Sequence, residues 1–367
     1  LTFHPDSDYV PQISRGWGSV FMMRLEEFAY DLPEELIAQE PAAVRDRSRM
    51  MVVHRKTGEI EIRTFRDLSG YFGEGDVFVV NDSRVFPARL IGRKETGGLI
   101  EILLLTRQPG DSPEETWEVL LRPAKRIDVG TTVTFAAGCL ARIVRRLSEK
   151  RWLLEFRTDI PFDDFLARFG RAPLPPYIRR KRDGARSQQD LERYQTVYAR
   201  VKGSVAAPTA GLHFTEEVFD LLRGRAVGIA SVTLHVGYGT FLPIEADNVE
   251  EHVMEEEHFT IDGETARLIN GAKRVIAVGT TSTRVLESVA DDEGKIRPVS
   301  GSTRLFLYPG SRFRRVDALL TNFHLPKSSL FLLVCAFAGT ERMQEAYRIA
   351  VENRFRFYSY GDCMLIL

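Results

Sequence analysis

The sequence has few cysteines, almost no net charge and no long hydrophobic run. Each of these features makes certain classes of protein or of binding surface unexpected. Its three cysteines are scattered without a CxxC pair, which is typical of reduced, buried cysteines in a cytoplasmic protein. The formal net charge is −1, so any RNA contact has to use a local basic patch. The most apolar stretch, residues 329–338, is too short to span a bilayer, and no signal peptide or membrane contact is expected.

Several signature motifs are absent as well. There is no GxGxxG and no GxxxxGK, so neither a dinucleotide fingerprint nor a P-loop applies. Without a GxSxG elbow, a Ser-His-Asp triad is a poor interpretation. The segment HVMEEEH at 252–258 matches neither HExxH nor HxxEH, so no metal is expected.

Strand and helix patterns divide the chain into two kinds of region. With 367 residues and 44% hydrophobic content, the chain is long enough for two domains. Short strand patterns follow one another between residues 76 and 157, punctuated by Gly, Pro and Asp, which indicates a small β-barrel. Helices and strands alternate after residue 160. The sequence therefore predicts a mixed α/β (α+β) main domain with an inserted antiparallel β-barrel: an N-terminal extension at 1–22 that is poorly ordered, a catalytic α/β domain at 23–80 and 158–367, and the barrel at 81–157.

Four local patterns give definite expectations. Asp31 is placed to cap a short helix at 33–39, and residues 50–63 alternate around Lys56-Thr57-Gly58 as a hairpin does. Thr215 is the expected N-cap of a helix that ends at residue 224. The strand at 274–278 is expected to run through a Gly-Thr-Thr-Ser turn into a helix at 283–290.

Four stretches rich in glycine, threonine and histidine each adjoin an apolar run, at residues 203–214, 233–241, 278–284 and 321–329. Glycine allows close approach of the backbone to a ligand, so we expect one pocket built from several strand ends. A histidine in such a stretch is a candidate acid or base near neutral pH, although a buried histidine is often only a satisfied core group. The candidates are His213, His235 and His324.

The turn formed by Gly279, Thr280, Thr281 and Ser282 lies at a predicted helix N-terminus. Unpaired N–H groups there suit a carboxylate or a phosphate, and simple capping of the helix is the alternative. At the other end of the chain, Asp362 is expected in a turn, where it can meet a cationic substrate group.

A proline-stiffened segment at 173–186 ends in adjacent cations. Such a run can contact a phosphate backbone, although most charge runs are solvated loops. Tyr177 and Tyr194 offer stacking surfaces. The cations are Arg179, Arg180, Lys181 and Arg182, with a second basic cluster on the barrel at Arg142, Arg145, Arg146, Lys150 and Arg151.

Eleven stretches, in order from Tyr30 to the C-terminus, resemble the S-adenosylmethionine:tRNA ribosyltransferase-isomerase family of queuosine biosynthesis. They are YDLPEELIAQEP, VVNDSRVFPARLIGRK, GGLIEILLL, PLPPYI, RYQTVYA, VAAPTAGLHF, VTLHVGYGTF, VIAVGTTSTRVLES, DALLTNFHLPKSSL, CAFAG and YSYGD. Two positions depart from the family pattern: Tyr238 replaces a small residue, and Glu255 stands where histidine is common. Glu257 fills the family's acidic position.

The resemblance implies an enzyme that uses S-adenosylmethionine as a ribosyl donor. The acceptor is the 7-aminomethyl-7-deazaguanine wobble base of tRNA, and the products are epoxyqueuosine-tRNA, adenine and methionine. It further implies a cytoplasmic protein without metal or obligate protein partner. The alternatives are a non-catalytic tRNA-binding protein and a small-molecule transferase or hydrolase.

The resemblance also suggests which residues act. Glu257 and Asp362 join the three histidines as catalytic candidates. Residues of the four stretches become candidates to bind S-adenosylmethionine: Thr209, Gly211, Phe214, Gly237, Gly239, Thr240, Phe241, Gly279, Thr280, Thr281, Ser282 and Asn322. Candidates to bind tRNA are Arg84, Arg89, Tyr177, Arg179, Arg180, Lys181 and Arg182.

Overall fold

The computed structural model describes residues 22–109, 114–124, 127–180, 187–241 and 243–367. In these ranges no helix has the length and apolar character needed to cross a membrane. The described strands are β1 (Arg49–Val53), β2 (Ile60–Thr64), β3 (Asp76–Asn81), β4 (Ser83–Val85), β5 (Arg89–Lys94), β6 (Leu99–Arg107), β7 (Glu115–Arg122), β8 (Thr132–Thr134), β9 (Leu140–Arg146), β10 (Arg151–Arg157), β11 (Val201–Ser204), β12 (Gly228–Leu234), β13 (Glu257–Ile261), β14 (Arg274–Val278), β15 (Val299–Thr303), β16 (Ala318–Asn322) and β17 (Cys363–Ile366). The described α-helices are α1 (Phe162–Phe169), α2 (Ser187–Arg193), α3 (Glu216–Arg223), α4 (Gly263–Gly271), α5 (Gly279–Val289), α6 (Ser329–Ala338) and α7 (Thr340–Glu352).

The main domain is built on one mixed sheet with the strand order β15-β13-β12-β3-β14-β16-β17-β1-β2. Its centre is parallel, because β12, β3, β14 and β16 pair in the same direction. Both faces of this centre are buried, as helices on the two sides of a parallel sheet require. On β3, Val77 and Val79 join one core cluster, whereas Phe78 joins the cluster on the opposite face.

The two faces of the sheet are covered by different helices. Helices α5, α6 and α7 contribute Leu286, Phe331 and Tyr347 to the core on one side. Helix α3 contributes Phe219 to the core on the other side, and its first turn is capped by the Thr215 side chain, as expected.

The expected barrel is present. Within the described residues, β10, β7, β6, β5, β8 and β9 close into a barrel with antiparallel neighbours. Alternate residues such as Leu90, Ile102 and Val119 fill its interior and are fully buried. Closure leaves no open sheet edge.

The chain enters the barrel later than the strand pattern suggests. The strand at 76–81 is an inner strand of the main sheet, and β4 pairs with β11 in a separate two-stranded sheet. The first barrel strand begins at Arg89. The domain limits 23–80, 81–157 and 158–367 remain our proposal, and of the extension at 1–22 only residue 22 lies within the described residues.

Two of the local expectations are corrected. Residues 33–39 form only one 3-10 turn, Glu34–Leu36, whose N-cap is Pro33 rather than Asp31. Helix α5 begins at Gly279 itself, so Gly-Thr-Thr-Ser is its first turn. The hairpin at 50–63 is confirmed by the antiparallel pairing of β1 and β2.

Candidate active site

The candidate site lies where the parallel strands end. Strands β12, β3, β14 and β16 run in one direction, so their carboxyl ends share one edge of the sheet. Ligands of open α/β sheets bind in the crevice outside the carboxyl ends of the strands. Three of the four stretches follow these ends directly, after Leu234, Val278 and Asn322.

A cleft at this edge is lined by residues from all four stretches, so the structure brings them together as expected. The fourth stretch contributes the 3-10 helix Thr209–His213 and the residues before it. The C-terminal segment also lines the cleft, through Tyr358 and Ser359. The lining residues from the four stretches are Ala207, Pro208, Thr209, Ala210, Val236, Thr240, Gly279, Thr280, Thr281, Thr321, Asn322, Phe323 and His324.

Asn322 has a fixed orientation in this cleft. Its amide nitrogen lies 3.2 Å from the Tyr358 carbonyl oxygen, 3.4 Å from that of Asp362 and 3.3 Å from Nε2 of His213. Two carbonyl acceptors require the NH₂ group on this side, so the amide oxygen faces the other way. That oxygen, Oδ1, is buried and accepts no hydrogen bond within the described residues. A buried acceptor without a partner is costly, so Asn322 is a candidate to contact a ligand in the cleft.

The first turn of α5 supplies further polar groups. Thr280 and Thr281 line the cleft, and among the described groups the buried Thr281 hydroxyl has no partner. The hydroxyl of Ser282 instead donates to the Val278 carbonyl at 2.9 Å, so the structure places Ser282 within the helix rather than at the cleft. The positive φ of Gly279, 88°, turns the chain from strand into helix and favours glycine.

His324 is the candidate histidine that lines this cleft. Its Nε2 lies 2.9 Å from the Thr321 hydroxyl, and its backbone N–H donates to the Tyr347 hydroxyl at 3.0 Å. Tyr30 donates to its carbonyl oxygen. Burial lowers the pKa of His324 to about 3, so the ring is neutral at physiological pH.

His213 lies behind Asn322, in a neighbouring recess that Arg45 and Tyr360 also line. Burial, assisted by the positive charges of Arg356 and Arg45, lowers its pKa to about 3. Because Asn322 directs its NH₂ group at Nε2, this nitrogen acts as the acceptor. His213 thus orients Asn322 and reaches the cleft only through it.

His235 takes a third position, outside both recesses. Its ring lies against Gly203, where an added Cβ would come within 2.6 Å of Nδ1. Burial first, and then the neighbouring His258, lower its pKa. The expected convergence of three histidines on one pocket is therefore not found: only His324 lines the cleft directly.

The two acidic candidates are engaged by the protein. Glu257, which is buried, forms an ion pair with the equally buried Arg284 of α5 and accepts from the Gly237 N–H at 3.2 Å and the Thr240 hydroxyl at 3.3 Å. The Asp362 carboxylate accepts from the backbone N–H groups of Arg49 at 3.1 Å and Arg356 at 2.8 Å. Neither carboxylate lines the cleft, and both hold loops around it.

The other proposed S-adenosylmethionine contacts take different places. Gly211 is required by packing, because a Cβ there would lie 1.8 Å from the Tyr198 hydroxyl oxygen. Phe214 is a core residue with its ring 4.9 Å from that of Phe65. Gly237 and Gly239 shape the loop before Thr240, and the side chain of Phe241 lies outside the described residues.

Some of the proposed tRNA contacts are exposed, and others are held by ion pairs within the protein. Arg84 is exposed, whereas Arg89 pairs with Glu101 at 2.7 Å and donates to the Leu174 carbonyl. The guanidinium of Arg180 contacts both carboxylate oxygens of Asp190 and is largely buried. The exposed Arg179 pairs with Glu34. Lys181 and Arg182 lie outside the described residues.

Tyr177 connects this segment to the cleft. Its hydroxyl shares a hydrogen bond with Ser359, which lines the cleft, and its ring meets that of Tyr358 edge-on at 3.9 Å between centroids. A base that stacks beside Tyr177 would therefore lie near the cleft.

Sequence reasoning missed Arg284 and Ser359. Arg284 lies between the Gly-Thr-Thr-Ser turn and the apolar pair Val285-Leu286 of a buried helix, so a cation within a segment expected to be buried was the available signal. Among the described residues no group of three or more His, Cys, Asp or Glu is arranged to hold a metal ion.

Known proteins resemble the chain over almost its whole length. The family model described as "Queuosine biosynthesis protein" matches residues 25–366. A protein of Syntrophus aciditrophicus named S-adenosylmethionine:tRNA ribosyltransferase-isomerase is 57% identical, with 94% of this chain and 100% of that protein covered. One of the same name from Acetivibrio thermocellus is 52% identical at the same coverage. A crystal structure of S-adenosylmethionine tRNA ribosyltransferase from Thermotoga maritima is 37% identical with a TM-score of 0.52, covering 93% of this chain and 100% of that one.

Proposed function

The chain belongs to the queuosine biosynthesis protein family as an S-adenosylmethionine:tRNA ribosyltransferase-isomerase, and we propose that it acts on the 7-aminomethyl-7-deazaguanine base at the wobble position of tRNA. The ribosyl moiety of S-adenosylmethionine is transferred to the aminomethyl nitrogen and rearranged, which gives epoxyqueuosine-tRNA and releases adenine and methionine. We propose a cytoplasmic reaction that needs neither metal nor protein partner. The burial of all three cysteines agrees with a reducing compartment.

S-adenosylmethionine binds in the cleft at the strand ends. The observation that carries this assignment is the pair of buried polar atoms there without partners, Oδ1 of Asn322 and Oγ1 of Thr281. Oδ1 can only accept, so it meets an N–H or O–H donor, and S-adenosylmethionine offers such donors at its α-ammonium group, its adenine amine and its ribose hydroxyls. The first turn of α5 offers N–H groups that suit the methionine carboxylate.

The reaction also needs a proton acceptor at the ribosyl carbon next to the sulfonium. His324 is the titratable candidate that lines the cleft, and its low pKa keeps it in the neutral form that can accept a proton. A weak base of this kind has to pass the proton on, because the imidazolium is unfavourable in a buried site. Exclusion of water by bound tRNA strengthens each of these polar contacts.

The tRNA approaches along the segment that carries Tyr177 and Arg179. This segment borders the cleft through Ser359, and Arg179 is 80% exposed at its side chain. The target base has to leave its stack to enter the cleft.

One assay tests the assignment. Purified protein is incubated with S-adenosylmethionine and tRNA bearing the precursor base, and free adenine and the modified nucleoside are measured. Adenine should appear in step with epoxyqueuosine and only when both substrates are present. A non-catalytic tRNA-binding protein would release no adenine, and a small-molecule enzyme would release it without tRNA.

A variant locates the site within the protein. Replacing Asn322 by leucine removes the acceptor, so the affinity for S-adenosylmethionine should fall about tenfold or more, which corresponds to about 1–3 kcal/mol for a buried group without its partner. The tRNA affinity should be unchanged. A variant with parental affinity for S-adenosylmethionine would place that substrate elsewhere.

A further inference from the structure

The glycine-rich loop at 237–241 lies between the cleft and the barrel. Thr240 lines the cleft, while two residues earlier Tyr238 packs against the hydrophobic core of the barrel. A displacement of the barrel against the main domain would therefore also move Thr240.

A chain of ion pairs fixes the barrel beside this loop. Arg151, the first residue of β10, pairs with Glu118 of the barrel through Nη1 and with Glu255 of the main domain through Nη2. Glu255 in turn lies directly under the loop, because a Cβ added at Gly239 would come 2.4 Å from its Oε2. The three charged side chains are between 16% and 34% exposed, so solvent screens them only in part.

The loop is also held by Glu257 of the main domain. Glu257 accepts hydrogen bonds from the backbone of Gly237 and the hydroxyl of Thr240, and it pairs with Arg284 of α5. The loop is thus clamped between two carboxylates, Glu255 toward the barrel and Glu257 toward the helix whose first turn lines the cleft.

We infer that Arg151 is a positioning residue for the substrate cleft: through Glu255 it holds loop 237–241, and hence Thr240, in place. The barrel then contributes to the binding of the small substrate as well as to the architecture. Arg151 belongs to the basic cluster on the barrel, whose members would otherwise all be interpreted as contacts for RNA phosphates.

The chain provides a matched control. Lys150, the neighbouring residue, also joins the barrel to the main domain, through Glu245 at 3.3 Å, but both side chains are largely exposed, at 65% and 78%, and neither Lys150 nor Glu245 has a described contact with the loop. An exposed pair of this kind contributes little.

The test compares Arg151→Met with Lys150→Met in the full chain, with S-adenosylmethionine affinity measured by calorimetry in the absence of tRNA. Arg151→Met should weaken that affinity about fivefold, the order of magnitude for one partly buried ion pair. Lys150→Met should leave it unchanged, and Arg151→Lys should restore part of it. Glu255→Gln should weaken the affinity for S-adenosylmethionine to a similar extent. The double variant Arg151→Met with Glu255→Gln should bind no more weakly than the weaker-binding single variant, because both substitutions break the same ion pair.

Two results would overturn the inference. If Arg151→Met keeps the parental affinity for S-adenosylmethionine and instead flattens the salt dependence of tRNA binding, Arg151 is an RNA contact. If Arg151→Met and Lys150→Met weaken S-adenosylmethionine binding equally, the effect is general domain docking rather than loop positioning. The inference rests on the proposed cleft; a parental affinity of Asn322→Leu in the same assay would count against the cleft itself and thereby distinguishes the two failures.

Discussion

At the scale of single residues, the site is defined by polar atoms that the protein leaves without partners. The amide nitrogen of Asn322 is committed to the Tyr358 and Asp362 carbonyl oxygens and to His213, whereas its buried Oδ1 has no partner among the described residues. Thr281 lines the same cleft, and its buried hydroxyl likewise has no partner among the described residues. Folded proteins rarely leave buried polar atoms unsatisfied, and these two belong to residues that line the cleft, which is why we assign them to a ligand.

Thr281 provides a direct test of this view. Thr281→Val removes the hydroxyl at nearly constant volume, and we expect KM for S-adenosylmethionine to rise about fivefold, since one hydrogen bond contributes about 1 kcal/mol. Ser282→Ala is the control, because that hydroxyl bonds to the Val278 carbonyl within the helix. Steady-state kinetics of both variants should show the effect in Thr281→Val alone, and equal KM values would show that the threonine hydroxyl does not contact S-adenosylmethionine.

The buried histidines predict a pH dependence of stability. The folded-state pKa values of His213 and His324, both about 3, lie below the unfolded value of about 6.5. Between these values the unfolded chain binds more protons, so the free energy of unfolding falls as the pH falls below 6.5. Each histidine contributes about 1.4 kcal/mol per pH unit to this loss.

Denaturant titrations at several pH values check this expectation. Replacing His213 by glutamine should reduce the slope of stability against pH by about 1.4 kcal/mol per unit below pH 6.5, whereas above pH 7 the two proteins should keep a constant difference. Parallel stability curves for parent and variant down to pH 5 would mean that His213 titrates normally in the folded protein.

At the scale of elements, the segment before α2 combines two arginines with different roles. Arg180 neutralises the buried Asp190 and also donates to the Gln39 carbonyl at 2.9 Å, which ties the segment to the rest of the main domain. Arg179 points outward, where its pair with Glu34 is exposed and weak. Of the four adjacent cations, Arg180 is engaged by the fold and Arg179 remains our candidate for a phosphate contact, whereas Lys181 and Arg182 lie outside the described residues.

Neutralising these two arginines separately should distinguish their roles. Arg179→Met should flatten the log–log salt dependence of tRNA binding by about 0.7–0.9, as expected for one lost phosphate contact, with stability unchanged. Arg180→Met should instead lower the free energy of unfolding by roughly 1–3 kcal/mol, because it leaves a buried carboxylate without its partner. An unaltered salt slope in Arg179→Met would assign this segment to the solvated surface.

At the scale of the whole molecule, the main sheet and the barrel both position residues of the cleft. The parallel centre of the main sheet directs four strand ends to one edge, and the closed barrel, reached after β3, packs against the loop that follows β12. The C-terminal strand β17 pairs with both β16 and β1, so the last residues of the chain close the sheet beside the cleft and bring Tyr358 and Ser359 to it.

Residues 1–24 lie outside the family match. The family match begins at residue 25, and the first described contacts are those of Met23 with Glu250. We expect a variant that lacks residues 1–21 to keep the parental kcat and both KM values. A change in either KM would show that the removed residues take part in substrate binding.

The sequence by itself determined the class of the fold, the barrel strands, the four stretches that meet at the cleft and the family. These features are local, because strand periodicity, turn residues and short motifs each depend on residues that are close together in the sequence. The roles within the site were decided by tertiary structure, because burial and hydrogen-bond partners come from distant parts of the chain. His213 and His324 look alike in sequence, yet His324 lines the cleft while His213 only orients Asn322. Likewise Arg151 resembles its basic neighbours, and only the packing of the barrel against Glu255 gives it a separate role.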